Sequence, residues 1–189
     1  MRIYLSNQSK KFSKHLAFFK SKKVIPYDRN LLKEVVSEIK LDQVENFDQL
    51  NFSLLFDYKI FPKNIMEGFG QWQEENRSMQ EGDILVQQIF IPPNPKWSQK
   101  IITGVRISEI IDKADCKGFS YETLEGHVEK GISTFTIERK DEGIFFKIHT
   151  YSSPGNFLSK LVGPIFSKHY QNYSTKKALE HFKQLYKPK

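Results

Sequence analysis

Cysteine is nearly absent from this chain of 189 residues, which contains only Cys116. A single cysteine excludes an intramolecular disulfide and a cysteine-rich zinc site, and it is typical of proteins from a reducing compartment. Long apolar runs are missing too, since none approaches the ~20 residues of a membrane-spanning helix. The opening residues "MRIYLSNQSKK" lack the apolar stretch of a secretory signal. We therefore expect a soluble, cytoplasmic protein.

Motifs of well-known cofactor and hydrolase sites are also missing. The sequence has no G-x-G-x-x-G pattern, no P-loop and no G-x-S-x-G pattern. Its five histidines show no metal-ligand spacing, although His149 and His169 could meet in space. We therefore expect neither a cofactor nor a metal ion.

Acidic residues are missing from the N-terminal end and rare at the C-terminal end. Residues 1–27 contain seven Lys and Arg and no Asp or Glu, whereas residues 159–189 contain seven lysines and only Glu180. Binding to nucleic acid or to an anionic membrane requires basic residues on one surface. The two ends would have to meet in the fold to form it; otherwise the lysines only solubilise exposed helices. We expect no specific nucleic-acid partner, and peripheral membrane contact through the basic ends stays open.

Large apolar side chains, in contrast, are plentiful. The chain contains 16 Phe and 8 Tyr, and 39% of its residues are hydrophobic. A chain of this length can bury a sizeable core as one domain. We predict a single domain over residues 1–189, in which residues 1–27 form a basic N-terminal segment.

The N-terminal part is predicted to contain a short strand and two helices. Residues 2–5 suit a strand, and the apolar residues of 12–20 recur at the spacing of an amphipathic helix. In "YDRNLLKEVVSEI", Asp28 is a plausible N-cap and five aliphatic residues follow on one helical face. We therefore predict a second helix that begins at Asp28 and includes Ile39.

Residues 41–80 are harder to assign. The stretch "FSLLFDYKIFP" is strongly apolar, but its periodicity does not distinguish a helix from a strand. The stretch "FGQWQEENRSMQEGD" is typical of a polar helix or loop, and it closes at Gly82.

From residue 84 onward, apolar and polar residues alternate as they do in β-strands. In the second of these strands, one side is predicted to carry Ile101, Thr103, Val105, Ile107 and Ile111. The last two strands are joined by a short "DEG" hairpin in which Gly143 can take a positive φ. Short links between strands favour an antiparallel meander. Five strands are predicted, at residues 84–91, 100–112, 119–124, 132–140 and 144–151.

A long helix is predicted at the C-terminal end, because apolar residues keep a helical stripe that includes Leu158, Leu161 and Val162 and continues to Tyr186. Gly163-Pro164 should start this helix or kink it. The predicted fold class is therefore α+β, with a curved antiparallel sheet wrapped around a long C-terminal helix.

The space between such a sheet and its helix is either filled core or an apolar cavity with a few polar groups at its mouth, the usual form of a small-molecule site. Polar residues of the predicted strands could supply those groups, or they could form the solvent face of half-buried strands. The residues concerned are Gln87, Gln88, Thr134 and Thr136.

The stretch "GFSYETLEGHVEKG" (118–131) is the most distinctive in the chain. It has the composition of a turn between strands, permitted by its glycines, with His127 capping backbone groups. Alternatively, it is a ligand loop in which Tyr121, Thr123 and His127 orient a polar head group at a cavity mouth. In a third interpretation, His127 is a general base that Glu129 or Glu122 orients. The residues alone leave these three alternatives open.

This stretch resembles the signature G-F-x-Y-x-T-L-x-G-H-x-x-x-G-E of an uncharacterised bacterial and plant family. The similarity extends over roughly residues 80–186, with Phe135 at an aromatic position, Ser152-Ser153-Pro154 after the last strand, and Gly163-Pro164 at a later Gly-Pro. Val128 and Ile132 depart from the proline and the acid that the family often has there. The resemblance implies a START-like, helix-grip fold, as in carriers of lipids and hydrophobic ligands.

Three functional hypotheses follow. The leading one is a non-catalytic binder of a hydrophobic small molecule or lipid, with Tyr121, Thr123, His127 and Phe135 as the binding residues. The second is an enzyme of cyclase or hydrolase type that uses His127 with Glu129 or Tyr121. The third is an electrostatic surface binder, which requires Lys10, Lys11 and Lys14 to share a face with Lys176, Lys177 and Lys183.

Overall fold

Most of the chain forms strands. A computed structural model describes residues 2–94, 96–154 and 164–187. The strands of this part are β1 (Arg2–Tyr4), β2 (Lys33–Lys40), β3 (Met66–Gly70), β4 (Ile84–Ile91), β5 (Gln99–Asp112), β6 (Cys116–Thr123), β7 (Glu129–Lys140) and β8 (Gly143–Pro154). Its α-helices are α1 (Phe12–Lys20), α2 (Ser53–Phe56), α3 (Gln71–Glu74) and α4 (Pro164–Leu185).

Seven strands form one continuous antiparallel sheet in the order β2-β8-β7-β6-β5-β4-β3. From β4 to β8 each strand pairs with the next along the chain, as a meander predicts. β2 crosses over to the free edge of β8 and pairs along its full length. β1 pairs with residues 100–102 of β5, on the edge that β6 leaves free.

The two faces of the sheet pack against different helices. On β4, Leu85 belongs to the same buried cluster as Phe182 of α4. Its neighbours Ile84 and Val86 instead pack against α1. Because successive side chains of a strand point to opposite faces, α1 and α4 lie on opposite sides of the sheet, here called its outer and inner faces. β4 is therefore buried on both faces.

The inner core lies between the sheet and the C-terminal half of α4. Phe182 and Ala178 of α4 are fully buried against inner-face residues of β5 to β8. The ring centroids of Phe146 and Phe182 are 4.0 Å apart. Residues 41–60 cover the same end of the core, where Phe47 and Leu55 are buried.

The N-terminal segment packs on the outer face rather than extending into solvent. Phe12, Leu16 and Phe19 of α1 are buried there. His15 of the same helix is only 2% exposed, its ring lies edge-on to Tyr4, and neither of its ring nitrogens has a hydrogen-bond partner. Burial lowers the pKa of His15, and the charges of Arg2, Lys11 and Lys14 lower it further.

His15 makes the stability of the fold sensitive to acid. Its pKa is lower in the folded chain than the ordinary 6.5, so the unfolded state binds the proton more tightly and the free energy of unfolding falls as the pH drops below 6.5. His15→Leu is expected to flatten this fall and to raise stability by about 1 kcal/mol at pH 8, because it removes unpaired buried nitrogens. Urea unfolding at pH 5 to 8 measures both effects. Lys14→Gln, one residue away on the helix, should keep most of the pH dependence; an equally steep fall in His15→Leu would contradict the assignment.

Most predicted elements are confirmed. The structure has the short N-terminal strand, the helix at 12–20, the five strands of the meander and the long C-terminal helix. Gly143 in the "DEG" hairpin has a φ of 129°. The described part of α4 runs from Pro164 to Leu185, and Gly163 of the Gly-Pro pair lies outside the described residues. The predicted helical positions Leu158, Leu161 and Val162 lie outside the described residues.

The helix predicted from Asp28 to Ile39 is wrong. Asp28 caps only a short 3-10 turn at Arg29–Leu31, and residues 33–40 form β2. Val35 and Ile39 point inward whereas Val36 is 51% exposed, which is the alternation of a strand. The β-branched residues of this segment favour a strand only weakly over a helix. The segment forms a strand because it pairs with the otherwise free edge of β8.

One inward position of β5 also differs from the prediction. The pairing of β5 with β6 shifts between Ile107 and Glu109, where the chain forms a bulge. A bulge inserts one residue and reverses the faces beyond it. Ile110, not Ile111, therefore packs against the inner core.

The unassigned stretch 41–80 folds into short pieces. It contains α2, β3 and α3, joined by turns, and Tyr58 has a positive φ of 58°. Tyr58 is nevertheless buried, with its ring beside those of Phe119 and Phe135. This segment therefore brings a tyrosine to the inner face of the sheet.

Candidate functional site

The stretch 118–131 forms the end of β6, a turn and the start of β7. Gly126 and Gly131 have φ values of 85° and 142°, which favour glycine. Within the turn, the Glu129 N–H donates to Nδ1 of His127 at 3.0 Å. His127 therefore caps the backbone of the turn, as the first of the three interpretations states.

The same turn closes one end of a cavity between the inner face and α4. This inner cavity has a volume of about 120 Å³. Its wall combines residues of β4, β6, β7 and β8 with residues of the N-terminal half of α4, and most of the wall is apolar. The apolar residues include Phe61, Met66, Ile89, Ile91, Val128, Phe135 and Ile148.

A hydrogen-bonded network connects the polar side chains at the back of this cavity. Gln87 is 1% exposed; its Nε2 donates to the Tyr58 hydroxyl at 2.7 Å, and its Oε1 accepts from the Thr103 hydroxyl at 3.4 Å. Nε2 of His127 lies 3.3 Å from the same Oε1. Nδ1 of the same ring lies 3.0 Å from both the N–H and the carbonyl oxygen of Glu129. Both ring nitrogens are therefore bonded within the protein.

The two ionisable groups beside the turn are both shifted towards their neutral forms. His127 and Glu129 are half-buried, because the cavity reaches them, yet protein atoms surround both side chains closely. Burial lowers the pKa of His127 to about 4 and raises the pKa of Glu129 to about 7. At neutral pH the histidine is uncharged and the carboxyl group is close to its midpoint.

Three of the four predicted binding residues line the inner cavity, namely Tyr121, His127 and Phe135. Thr123 does not line it: its hydroxyl accepts from the Gly131 N–H at 3.1 Å and so holds the start of β7 against the end of β6. Tyr121 is 8% exposed, and burial raises the pKa of its hydroxyl.

The four polar strand residues separate into two groups. Gln87 lines the cavity. Gln88 is buried on the outer face, where its side chain bonds to the Gln8 backbone and to Glu67. Thr134 and Thr136 also lie on the outer face and bond to Ser120 and Glu138. Only one of the four is a cavity residue.

Sequence reasoning missed the contribution of α4. Tyr170, Gln171 and Ser174 of this helix line the inner cavity. Gln171 donates to the Ser152 hydroxyl at 3.1 Å and to the Glu129 carboxyl group at 3.3 Å. The sequence does show Gln171 as a polar residue beside the apolar stripe of α4. Its hydrogen-bond partners on β7 and β8, however, can be identified only from the packing of the helix against the sheet.

A second cavity of about 210 Å³ lies between β2 and α4. It shares the wall residues Thr150, Gln171 and Thr175 with the inner cavity. The two spaces are thus neighbours along α4, on the side where β2 closes the sheet.

The geometry bears on the two alternative hypotheses. Both ring nitrogens of His127 are bonded within the protein, to the backbone and to Gln87, and Glu122 bonds to Tyr27 instead. Lys14 lies on α1, with Lys10 and Lys11 in the turn just before it, whereas Lys176, Lys177 and Lys183 lie on α4. Because α1 and α4 pack on opposite faces of the sheet, these helices do not place the two groups side by side.

Among the described residues, no group of three or more His, Cys, Asp and Glu side chains is placed to hold a metal ion. In that part of the chain, no helix is long and apolar enough to cross a membrane.

A family model agrees with the motif. The model for the "Domain of unknown function (DUF1990)" matches residues 42–181, well over half of the chain. The chain belongs to this family. The DUF1990 match includes the whole stretch 118–131, and it begins well before residue 80, where the motif-based resemblance began.

A curated relative of the DUF1990 chain is the "UPF0548 protein" of Deinococcus radiodurans. The two are 31% identical over 71 residues, which is 37% of this chain and 36% of the relative. The match therefore spans little more than a third of the relative's length.

Solved structures show the fold of the DUF1990 chain. The hypothetical protein jhp0584 of Helicobacter pylori superimposes with a TM-score of 0.56 at 10% identity, covering 87% of this chain and 97% of that chain. The ginseng major latex-like protein 151 of Panax ginseng superimposes with a TM-score of 0.50 at 12% identity, covering 84% of this chain and 99% of that chain. Protein Ms6760 of Mycobacterium smegmatis superimposes with a TM-score of 0.51 at 8% identity, covering 89% of this chain and 98% of that chain. The predicted helix-grip α+β fold is thereby confirmed.

Proposed function

We propose that this protein binds a hydrophobic small molecule in the inner cavity without catalysing a reaction on it. The observation that carries the proposal is the cavity itself, which is lined mainly by apolar side chains and has a few converging polar groups. This combination is the usual form of a small-molecule site. Gln87, His127 and Tyr121 supply the polar groups, and Phe135 supplies apolar surface.

The size of the cavity limits the ligand. A volume of about 120 Å³ is comparable to an apolar cavity of ~150 Å³ that binds benzene. One ring or a short alkyl chain fits this space. A larger ligand, such as a lipid chain or the three-ring dye N-phenyl-1-naphthylamine, would have to continue past Thr150 and Gln171 into the second cavity.

The state of His127 favours binding over catalysis. A general base needs a free nitrogen within reach of the proton that it removes. The nitrogens of His127 bond to the Glu129 N–H and to Gln87. Its pKa of about 4 also makes it a weak base. The imidazole is better suited to hold the turn and to present a fixed polar edge to a ligand.

Filling the cavity is expected to weaken binding. Ser133 lines the cavity from β7, between Tyr121 on β6 and Thr150 on β8. Ser133→Leu places a larger apolar side chain in that space and should weaken binding of the neutral dye N-phenyl-1-naphthylamine at least tenfold, or about 1.4 kcal/mol. Fluorescence titration measures the affinity.

The neighbouring variant Thr134→Leu is the matched control. This substitution also replaces a hydroxyl side chain by leucine, but on the outer face of the same strand. Dye affinity should therefore stay within about twofold of the unmodified chain. Dye binding that is unchanged in folded Ser133→Leu would refute the proposal, as would the absence of binding to the unmodified chain by both the dye and a single-ring ligand such as benzene. Mass spectrometry of protein from its native host, under native and then denaturing conditions, identifies a natural ligand.

A further inference from the structure

The charges around the inner cavity are one-sided. Among the described residues that line it, the ionisable side chains are Tyr121, His127, Glu129 and Tyr170, with no Lys or Arg. Among the described residues, Glu129 has no ion-pair partner, and its carboxyl group accepts a hydrogen bond of 3.3 Å from the neutral amide of Gln171. A carboxylate held in apolar surroundings without a cation is costly unless a partner arrives or it takes up a proton.

The neighbouring side chains that the structure describes do not supply that cation. His127 is bonded through both nitrogens and is neutral at pH 7, because burial lowers its pKa to about 4. Lys130 follows Glu129 on β7 and so points to the other face of the sheet. Lys176 lines the second cavity and not the inner one.

Aromatic rings form another part of the wall. Phe61, Tyr121 and Phe135 all line the cavity. The ring centroids of Tyr121 and Phe135 are 5.3 Å apart, and those of Phe61 and Phe135 are 6.4 Å apart. The faces of aromatic rings attract cations, and the attraction is stronger where the contact is desolvated.

We infer that the ligand of the inner cavity is a small apolar amine, whose ammonium group pairs with Glu129 while its hydrocarbon part packs among Phe61, Tyr121 and Phe135. This inference rests on the proposed function and specifies its substrate class. The carboxylate and the rings are independent features, and both favour a positive charge. An apolar carboxylate would instead place a second negative charge beside Glu129, with no cation among the described lining residues to balance it.

Displacement of the neutral dye tests the inference with three ligands of equal chain length. Octylamine, octanol and octanoate compete with N-phenyl-1-naphthylamine at pH 8, where Glu129 is mostly ionised because its pKa is about 7. Octylamine is expected to bind at least tenfold more tightly than octanol, and octanoate more weakly than octanol. At pH 5.5 the preference for the amine should fall, because Glu129 is then protonated.

Two variants locate the preference. Glu129→Gln keeps the shape of the side chain and should bring octylamine within about threefold of octanol, while dye affinity is retained. Glu125→Gln removes an exposed carboxylate from the same turn and should leave the preference unchanged.

The outcomes separate the inference from the proposed function. Saturable dye binding with octanoate equal to octylamine, or a preference that persists in Glu129→Gln, overturns the inference and leaves the proposed function standing. Absence of saturable binding by the dye and by all three ligands overturns both.

Discussion

Gly131→Ala is expected to destabilise the protein by about 4 kcal/mol, which corresponds to a fall in melting temperature of roughly 10 °C for a chain of this size. Gly131 has a φ of 142°, a conformation that costs other residues about 1–3 kcal/mol. An added Cβ would also overlap the carbonyl oxygen of Tyr151 and lie 3.0 Å from the Cα of Ser152. Both atoms belong to the backbone of β8, so neither can move without disturbing the pairing of β7 with β8.

Gly82→Ala is the matched control for this variant. Gly82 also has a positive φ, 88°, but a Cβ there would meet no atom within 4 Å. Only the conformational cost applies, about 1 kcal/mol. Thermal unfolding followed by circular dichroism compares the two variants. Equal losses would mean that the close approach of β8 contributes nothing, which would contradict the packing described for this turn.

The position of Gly131 also connects stability to binding. Its N–H donates to Thr123, and Glu129 lies two residues earlier on the same strand. Thr123 was predicted as a ligand contact, and the structure gives it the different task of holding this strand start. The motif therefore combines residues that shape the turn with residues that face the cavity, and its spacing alone does not distinguish them.

Local patterns predicted the elements whose environment is simple. α1 has one buried face and one exposed face, so its apolar residues repeat with the helical period and its bounds follow from the sequence. β4 is buried on both faces, and its apolar residues lie on either side of Gln87 and Gln88 in a stretch ended by Pro92-Pro93. The segment that forms β2 was predicted as a helix because its aliphatic residues fit a helical face as well as a strand. Its partner β8 lies more than a hundred residues away in the chain, so local sequence could not indicate the pairing.

The residues of the site, like the elements of the fold, could be predicted where they are close in sequence and not where they come from distant elements. Tyr121, His127 and Phe135 lie on one continuous motif, so their meeting at one cavity could be anticipated from the sequence. Gln87 and Gln171 come from β4 and α4, and their contacts with this motif depend on the assembled sheet and helix. The third interpretation of the motif paired the carboxyl group of Glu129 with His127. In the structure, the backbone of Glu129 bonds to His127 instead.

The packing of α4 can be tested apart from the cavity. Phe182 is fully buried, and its ring lies 4.0 Å from that of Phe146 between centroids. Phe182→Ala is expected to lower the free energy of unfolding by about 4 kcal/mol, since truncating a buried Phe removes apolar contacts and leaves a void. Urea unfolding measures this loss as a lower midpoint at an unchanged slope. Tyr173→Ala on the same helix, where the side chain is 42% exposed, should cost less than about 1 kcal/mol.

Dye binding by Phe182→Ala decides whether the two halves of α4 act separately. Phe182 does not line the inner cavity, whose helical wall comes from Tyr170, Gln171 and Ser174. If the N-terminal half of α4 is held by its own contacts, such as the bond from the Tyr170 hydroxyl to the Phe90 carbonyl at 2.7 Å, the folded variant should bind the dye within about threefold of the unmodified chain. Loss of binding in folded Phe182→Ala would instead mean that the buried C-terminal half of α4 positions the cavity wall, and that core and site form one cooperative unit.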